Sequence, residues 1–292
     1  MPMNLDAVGA STGPTRIAWT ETDALLYALG VGAGQEDALG ELAYTTENTA
    51  GVRQRVLPTF GAVLAQFRAP ADGSPRPELD IGTYDPAQLV HAEEAVTLAR
   101  PIPAAGTMDV TTTLAGIYDK GSGALVVSDT VGRLPGDPPD SPTLLVRSSL
   151  FIRGEGGFGI PGPKQPWGTP DRRPDMALEV GTRADQALLY RLSGDRNPLH
   201  TDPKFAARAG FTRPILHGMC TFGVVGRRLL SALGDDDPEL FVSISGRFSQ
   251  PVYPGDKLSI VVWSDGPEAR FRVLGPEGWV VLDRGTFVTR PR

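Results

Sequence analysis

The 292 residues predict an α+β protein made of two repeats, each a curved antiparallel sheet wrapped around a long helix. Two observations carry this. A short helical sequence occurs twice and is followed both times by the same succession of elements. Each copy then gives way to alternating, turn-punctuated sequence.

Ala24-Leu25-Leu26-Tyr27-Ala28-Leu29 recurs as Ala187-Leu188-Leu189-Tyr190-Arg191-Leu192, identical at five of six positions. Each copy follows Thr-x-x-Asp, Thr20 to Asp23 and Thr182 to Asp185, close to the capping box that starts a helix. Val56-Leu57-Pro58 opens an apolar stretch to Phe67, and Ile215-Leu216-His217 opens another to Leu230; both are expected to be buried central helices. Pro101-Ile102 with Gly106 then echoes Pro251-Val252 with Gly255. Three echoes in one order point to duplication.

Strands are expected over 107–117 and 124–133, split by the hairpin signal Asp119-Lys120-Gly121-Ser122-Gly123, and over 143–153. An alternating segment over 89–98 holds His91. In the second half, 241–248, 257–264, 269–274 and 279–289 read the same way. Glycine and proline crowd 154–176, an irregular linker. The expected division is a repeat over 1–153, the linker over 154–176, and a second repeat over 177–292.

An apolar content of 40% with 21% charged residues is that of a globular protein. A net charge of −6 argues against a nucleic-acid partner. No run is long and apolar enough for a membrane span. One cysteine, Cys220, excludes an internal disulfide. Residues 1–16 lack a signal-peptide pattern, and the final Thr-Arg-Pro-Arg is not a peroxisomal address, so a cytoplasmic location is expected. Heavy use of arginine over lysine suggests a bacterial source.

The densest polar cluster is Ser193-Gly194-Asp195-Arg196-Asn197-Pro198-Leu199-His200. Pro198 disfavours helix at Asn197, so the stretch is a defined loop after the second hexad. It brings a carboxylate, an amide and an imidazole within six residues, a set able to hold one water and pass protons. Composition alone reads equally as a capped loop with a surface histidine. Arg213-Pro214-Ile215-Leu216-His217-Gly218 then leads into the expected long helix, where free N–H groups near Gly218 can stabilise charge on an oxygen. A tight turn before a helix is the plainer reading of Gly218.

Together, Tyr190-x-Leu-Ser-Gly-Asp-x-Asn-Pro-Leu-His200 and Pro214-Ile-Leu-His-Gly218 resemble the signature of the MaoC-like, R-specific enoyl-CoA hydratases, or hydratase 2. The first half, with Leu57-Pro-Thr-Phe-Gly61 and Asp119-Lys-Gly-Ser-Gly123, is similar to the long members, which are double hot-dog proteins. The resemblance implies reversible addition of water to a trans-2-enoyl-CoA, giving the (3R)-3-hydroxyacyl-CoA. It places the catalytic pair on Asp195 and His200, water positioning on Asn197, and the donor to the thioester oxygen on Gly218. It places substrate contacts on His91, Lys120 and Phe248, with His91-Ala92 where the family has His-Gly. The implied partner is an acyl-CoA thioester. No separate cofactor is expected, since coenzyme A is part of the substrate, and no metal-ligand spacing is present. Monomer and homodimer both remain open.

Aligning the hexads sets Gly32 against Asp195, and residues 1–90 contain no histidine, so the first repeat reads as degenerate. Its Gly30-Val31-Gly32-Ala33 segment is expected to open room for an acyl tail. Glu47 reads as a surface carboxylate and His217 as a structural partner of the catalytic loop. The rivals are a dehydratase acting on carrier-protein thioesters and a non-catalytic acyl-CoA-binding module; an intact Asp195, Asn197 and His200 weigh against the latter.

Overall fold

Each repeat opens on an edge strand and a helix. The computed structural model describes residues 3–163 and 166–291. Residues 1–2, linker residues Lys164 and Gln165, and Arg292 lie outside the described residues, so the terminal readings and part of the linker are not described. The first repeat contains β1 (Ser11–Trp19), α1 (Glu21–Gly30), α2 (Leu42–Thr45), α3 (Phe60–Gln66), β2 (Leu89–Leu98), β3 (Gly106–Asp119), β4 (Gly123–Arg133) and β5 (Leu144–Arg153). The second contains β6 (Met176–Gly181), α4 (Gln186–Tyr190), α5 (Pro203–Arg208), α6 (Gly218–Gly234), β7 (Phe241–Phe248), β8 (Lys257–Asp265), β9 (Glu268–Leu274) and β10 (Val280–Thr289).

All ten strands form one sheet in the order β1-β3-β4-β5-β2-β7-β10-β9-β8-β6. The order mirrors itself about the β2–β7 pair: β5 answers β10, β4 answers β9, β3 answers β8 and β1 answers β6. That symmetry is the three-dimensional form of the sequence duplication. The repeats join antiparallel, Glu94 opposite Gly246 and Val96 opposite Ile244. Arg290 clasps the joint from the end of β10, donating to the carbonyls of Leu98, Ala99, Glu239 and Phe241.

The expected strands are present with ends within a residue or two. The edge strands β1 and β6 were not anticipated. β1 carries Pro14, which an edge tolerates because one side of the strand needs no donor.

The central helices differ from the expectation. α6 runs 17 residues and is apolar nearly all round, burying Met219, Phe222, Val225 and Leu229 against β6, β7 and β10. α3, expected to match it, has only seven residues. Pro70 disfavours helix at Ala69, and the turn closes with the Phe67 and Arg68 N–H groups on the Val63 carbonyl. The two capping boxes also diverge. Thr20 caps α1 reciprocally with Asp23. Thr182 instead donates to the Asp256 carbonyl and accepts from Gly255 N–H, leaving α4 to begin behind Asp185 without a side-chain cap.

Candidate active site

Short helix α4 runs directly into a turn, Arg191–Ser193, and Gly194 then redirects the chain. Gly194 has φ +134°, and a Cβ there would lie 2.9 Å from both Cβ and the carbonyl oxygen of Phe67. The loop that follows therefore rests on the end of α3, and only glycine fits the contact. Asp195 turns the loop by accepting from Asn197 N–H at 3.1 Å. Asn197 in turn caps the turn Pro198–His200, accepting from Leu199 N–H at 3.0 Å. Asn197 thus shapes the loop through its Oδ1.

That turn buries His200. Its Nδ1 lies 2.9 Å from the Ile215 carbonyl. A carbonyl only accepts, so Nδ1 carries the hydrogen and Nε2 is left with its lone pair. Burial pushes the His200 imidazole below its ordinary value, against the charge of Asp195 and the Ile215 hydrogen bond, which pull it up. The hydrogen bond to Ile215 thus leaves Nε2 as the ring's acceptor nitrogen.

His217 lies flat against it, ring centroids 3.7 Å apart and planes 29° apart. One side-chain ligand atom from each of Asp195, His200 and His217 falls within 4.8 Å of the other two. Next in the chain, Gly218 opens α6, whose first-turn N–H groups have no intrahelical acceptor. A Cβ on Gly218 would lie 3.3 Å from the Phe248 ring, so the helix start and that ring share one wall. Phe248 meets His91 edge-on at 5.2 Å.

His91 brings in residues that the sequence did not expose. Its Nε2 lies 2.8 Å from Glu94 Oε2 and 3.2 Å from Ser148 Oγ, and Gln66 Nε2 donates to Glu94 Oε1 at 2.6 Å. Glu94 is 1% exposed, and burial pushes its carboxyl up against the hydrogen bonds that pull it down. Glu94 and Gln66 stand far apart in sequence, and only the placement of α3 on the sheet joins them. A buried acid in the alternation Glu93-Glu94 was the available clue, since one of two neighbouring strand residues must face inward.

Among the expected residues, Asp195, Asn197, His200, Gly218, Phe248 and His91 are thus linked contact by contact. Lys120 is not in that cluster. It stands at the β3–β4 turn and lines a small cavity with Glu93, Tyr118, Arg147 and Arg247. Glu93 takes the sheet face opposite to Glu94, so this cavity opens on the outer side. Glu47 is exposed, as expected.

The room expected at Gly32 is filled. Gly32 has φ +84°, and a Cβ there would meet Gln35 Oε1 at 3.1 Å and Arg227 Nη2 at 3.4 Å. Arg227, 4% exposed, reaches from α6 to donate to both Glu41 oxygens at 2.8 Å, with Nε on the Val31 carbonyl. A buried ion pair occupies the degenerate loop where space for a tail was expected. At Gly30 a Cβ would lie 3.3 Å from Tyr190 Cα, so close helix packing explains that glycine.

Comparison with known proteins now bears on the site. Residues 165–276 match the MaoC like domain, and residues 18–154 match the MFE-2 hydratase 2 N-terminal domain. The chain belongs to the MaoC-like dehydratase and hydratase 2 family. It is 45% identical to 3-hydroxyacyl-thioester dehydratase Y of Mycobacterium tuberculosis, over 98% of either chain. It is 37% identical to enoyl-CoA hydratase 2, peroxisomal, of Arabidopsis thaliana, over 86% of this chain and 84% of that one. In three dimensions it resembles a MaoC-like dehydratase from Phytophthora capsici with a TM-score of 0.83, at 32% identity over 99% and 98% of the two chains. A double-hotdog protein of M. tuberculosis shares the fold alone, with a TM-score of 0.58 at 14% identity over 97% and 96%. The architecture of this MaoC-like chain is thus a double hot-dog, with one motif-bearing loop.

Proposed function

We propose that this chain adds water reversibly to trans-2-enoyl-CoA, giving (3R)-3-hydroxyacyl-CoA. One observation carries the reading: the side chains of half-buried Asp195 and buried His200 converge beside the free N–H groups at the start of α6. Water is a poor nucleophile and must lose a proton as it attacks C3. His200 Nε2 takes that proton while the Asp195 carboxylate orients the water. The thioester oxygen gathers negative charge as C2 becomes enolate-like, and Gly218 N–H with the helix dipole stabilises it. C2 then collects a proton from the same pair. His91 and Phe248 form the facing wall, and Lys120 serves a phosphate of coenzyme A away from the reacting carbons.

No metal enters this scheme. His200 Nδ1 and His217 Nε2 each already face a backbone carbonyl, of Ile215 and Asp195. Both halves of the hot-dog pair lie in one chain, so the site needs no second copy. Among the described residues no helix is long and apolar enough to cross a membrane.

Crotonyl-CoA tests the reading. Absorbance of the enoyl thioester should fall, and an (S)-specific 3-hydroxyacyl-CoA dehydrogenase coupled to the product should give no NADH. A robust NADH yield would overturn the (R)-assignment, and an unchanged absorbance would overturn hydration itself. A second reading, dehydration of a carrier-protein thioester, is favoured by one feature: the exposed cations Arg196, Lys204, Arg208 and Arg213 on the segment around the catalytic loop, in a chain of net charge −6. A higher kcat/KM on the carrier-protein thioester than on the coenzyme A thioester would support it.

A further inference from the structure

The catalytic loop and the start of α6 are held together by a side chain with no part in the scheme above. His217 is fully buried at the N-cap of α6, yet its side chain makes no capping hydrogen bond. Serine, threonine, aspartate or asparagine would serve a cap better. The imidazole instead packs between two rings, stacked on His200 at 3.7 Å and tilted against Tyr190 at 4.9 Å. Its Nε2 faces the backbone carbonyl of Asp195 at 3.3 Å, so that nitrogen is the donor. Nδ1 has no partner among the described residues, nor has the hydroxyl of fully buried Tyr190.

Burying a polar atom without a protein partner opposes folding. Such groups need another reason to be there. The molecule supplies its own control. In the sequence echo of Val56-Leu57-Pro58 with Ile215-Leu216-His217, Pro58 matches His217, although α3 starts one residue later and takes Thr59 as its N-cap. The repeat without an acid/base pair folds with proline at that place. An imidazole there goes with the chemistry, not with the fold.

We propose that His217 is a positioning residue for the hydration: its neutral ring fixes the plane of His200 by stacking, and its Nε2–H holds the Asp195 backbone, so that the Asp195 carboxylate and His200 Nε2 keep one spacing around the water. When His200 takes the proton, the stacked neutral ring also carries part of the imidazolium charge on its face. His217 must not compete for that proton. The ionisable groups facing it are His200, Asp195, Arg191 on the turn after α4, and Tyr190. Burial, with His200 and Arg191 beside it, holds its imidazole down at about 2, against the pull of the Asp195 carbonyl.

This inference rests on the hydration reading, and the experiment separates the two. Two variants split the roles: His217→Phe keeps a ring for the stack and loses the donor, and His217→Gln keeps a donor and loses the ring. Each should lower kcat on crotonyl-CoA about 10- to 100-fold, the lower end of the range for a disturbed acid/base group, with KM changed less than about threefold. The pH profile should separate them. His217→Gln uncovers His200, whose imidazole then rises towards its ordinary value, so the acid limb of kcat/KM moves to higher pH. His217→Phe keeps the cover and leaves the limb in place. Variants that melt like the parent and keep its kcat and acid limb would overturn the proposal, whereas an inactive parent would overturn the hydration reading. Ring 15N shifts of the parent chain give a check independent of variant folding. The His217 signal should stay that of a neutral Nε2–H imidazole from pH 5 to 9, and titration in that range would equally overturn it.

Discussion

The loops that follow α1 and α4 begin from nearly the same hexad and finish as opposites. After α4, the chain turns at Gly194 and sets Asp195, Asn197 and His200 on one loop, next to the α6 start where Gly218 packs against Phe248. After α1, Gly32 stands opposite Asp195, and Arg227 from the other repeat fills the site through its ion pair with Glu41. The difference teaches that the second site was not left vacant. A charge pair with 4% and 18% side-chain exposure now ties the degenerate loop to the central helix of the active repeat. One position of the symmetric frame holds an ion pair and the other the Asp195–His200 loop.

The largest expected effect breaks the comparison from the active side. Asp195→Asn or His200→Gln should lower turnover by about 10²–10⁴-fold, the scale for losing a general acid or base. Steady-state kinetics on crotonyl-CoA, with binding of a product analogue as control, measures it. Near-parental turnover in either variant would remove that residue from the scheme.

The matching change on the inactive side should act on stability. Glu41→Leu leaves Arg227 buried without its partner, which typically costs about 3–5 kcal/mol. Urea unfolding should show the loss, while the surviving folded fraction keeps its chain-length preference. If the variant is as stable as the parent, the pair is not what holds the loop.

Protonation sharpens the contrast, because both imidazoles buried at the site lie in the second repeat. His200 and His217 both have folded values below the ordinary 6.5. The unfolded chain therefore binds more protons just below that pH, and stability present above pH 6.5 is lost as pH falls. His217, held at about 2, should contribute a slope that approaches about 1.4 kcal/mol per pH unit as pH falls from 6.5 to 5, and His200 a slope of the same sign. Stability should be flat above that window as far as histidine is concerned. His217→Phe should remove its share of the slope; an unchanged slope would mean that His217 is not buried neutral.

The smallest effect concerns Gly32. Its φ of +84° strains any other residue, so Gly32→Ala should lower stability by about 1–2 kcal/mol. Activity on C4 and C16 enoyl-CoAs should fall together or not at all. A folded variant that loses only the long substrate would restore the tail pocket that the structure shows filled.

Much of this was legible in the sequence, because it depends on short-range rules. Alternation marks strands, a proline after Asn197 marks a loop, and a repeated hexad marks duplication; each needs only neighbours along the chain. The loop carrying Asp195, Asn197 and His200 was readable for the same reason, its parts lying within six residues. The end of α3 was read within a residue, at Phe67 against Gln66, but not its late start at Phe60, because an apolar run alone does not say where a helix begins. Tertiary structure alone decided the rest. Thr182 caps no helix because Asp256 and Gly255 are brought beside it. Gln66, Glu94 and Ser148 gather around His91 only when α3 lies on β2 and β5. Arg227 reaches Glu41 across 186 positions of chain. Hydrogen bonds and ion pairs act over a few ångströms, so partners remote in sequence become visible only when the fold has closed the distance.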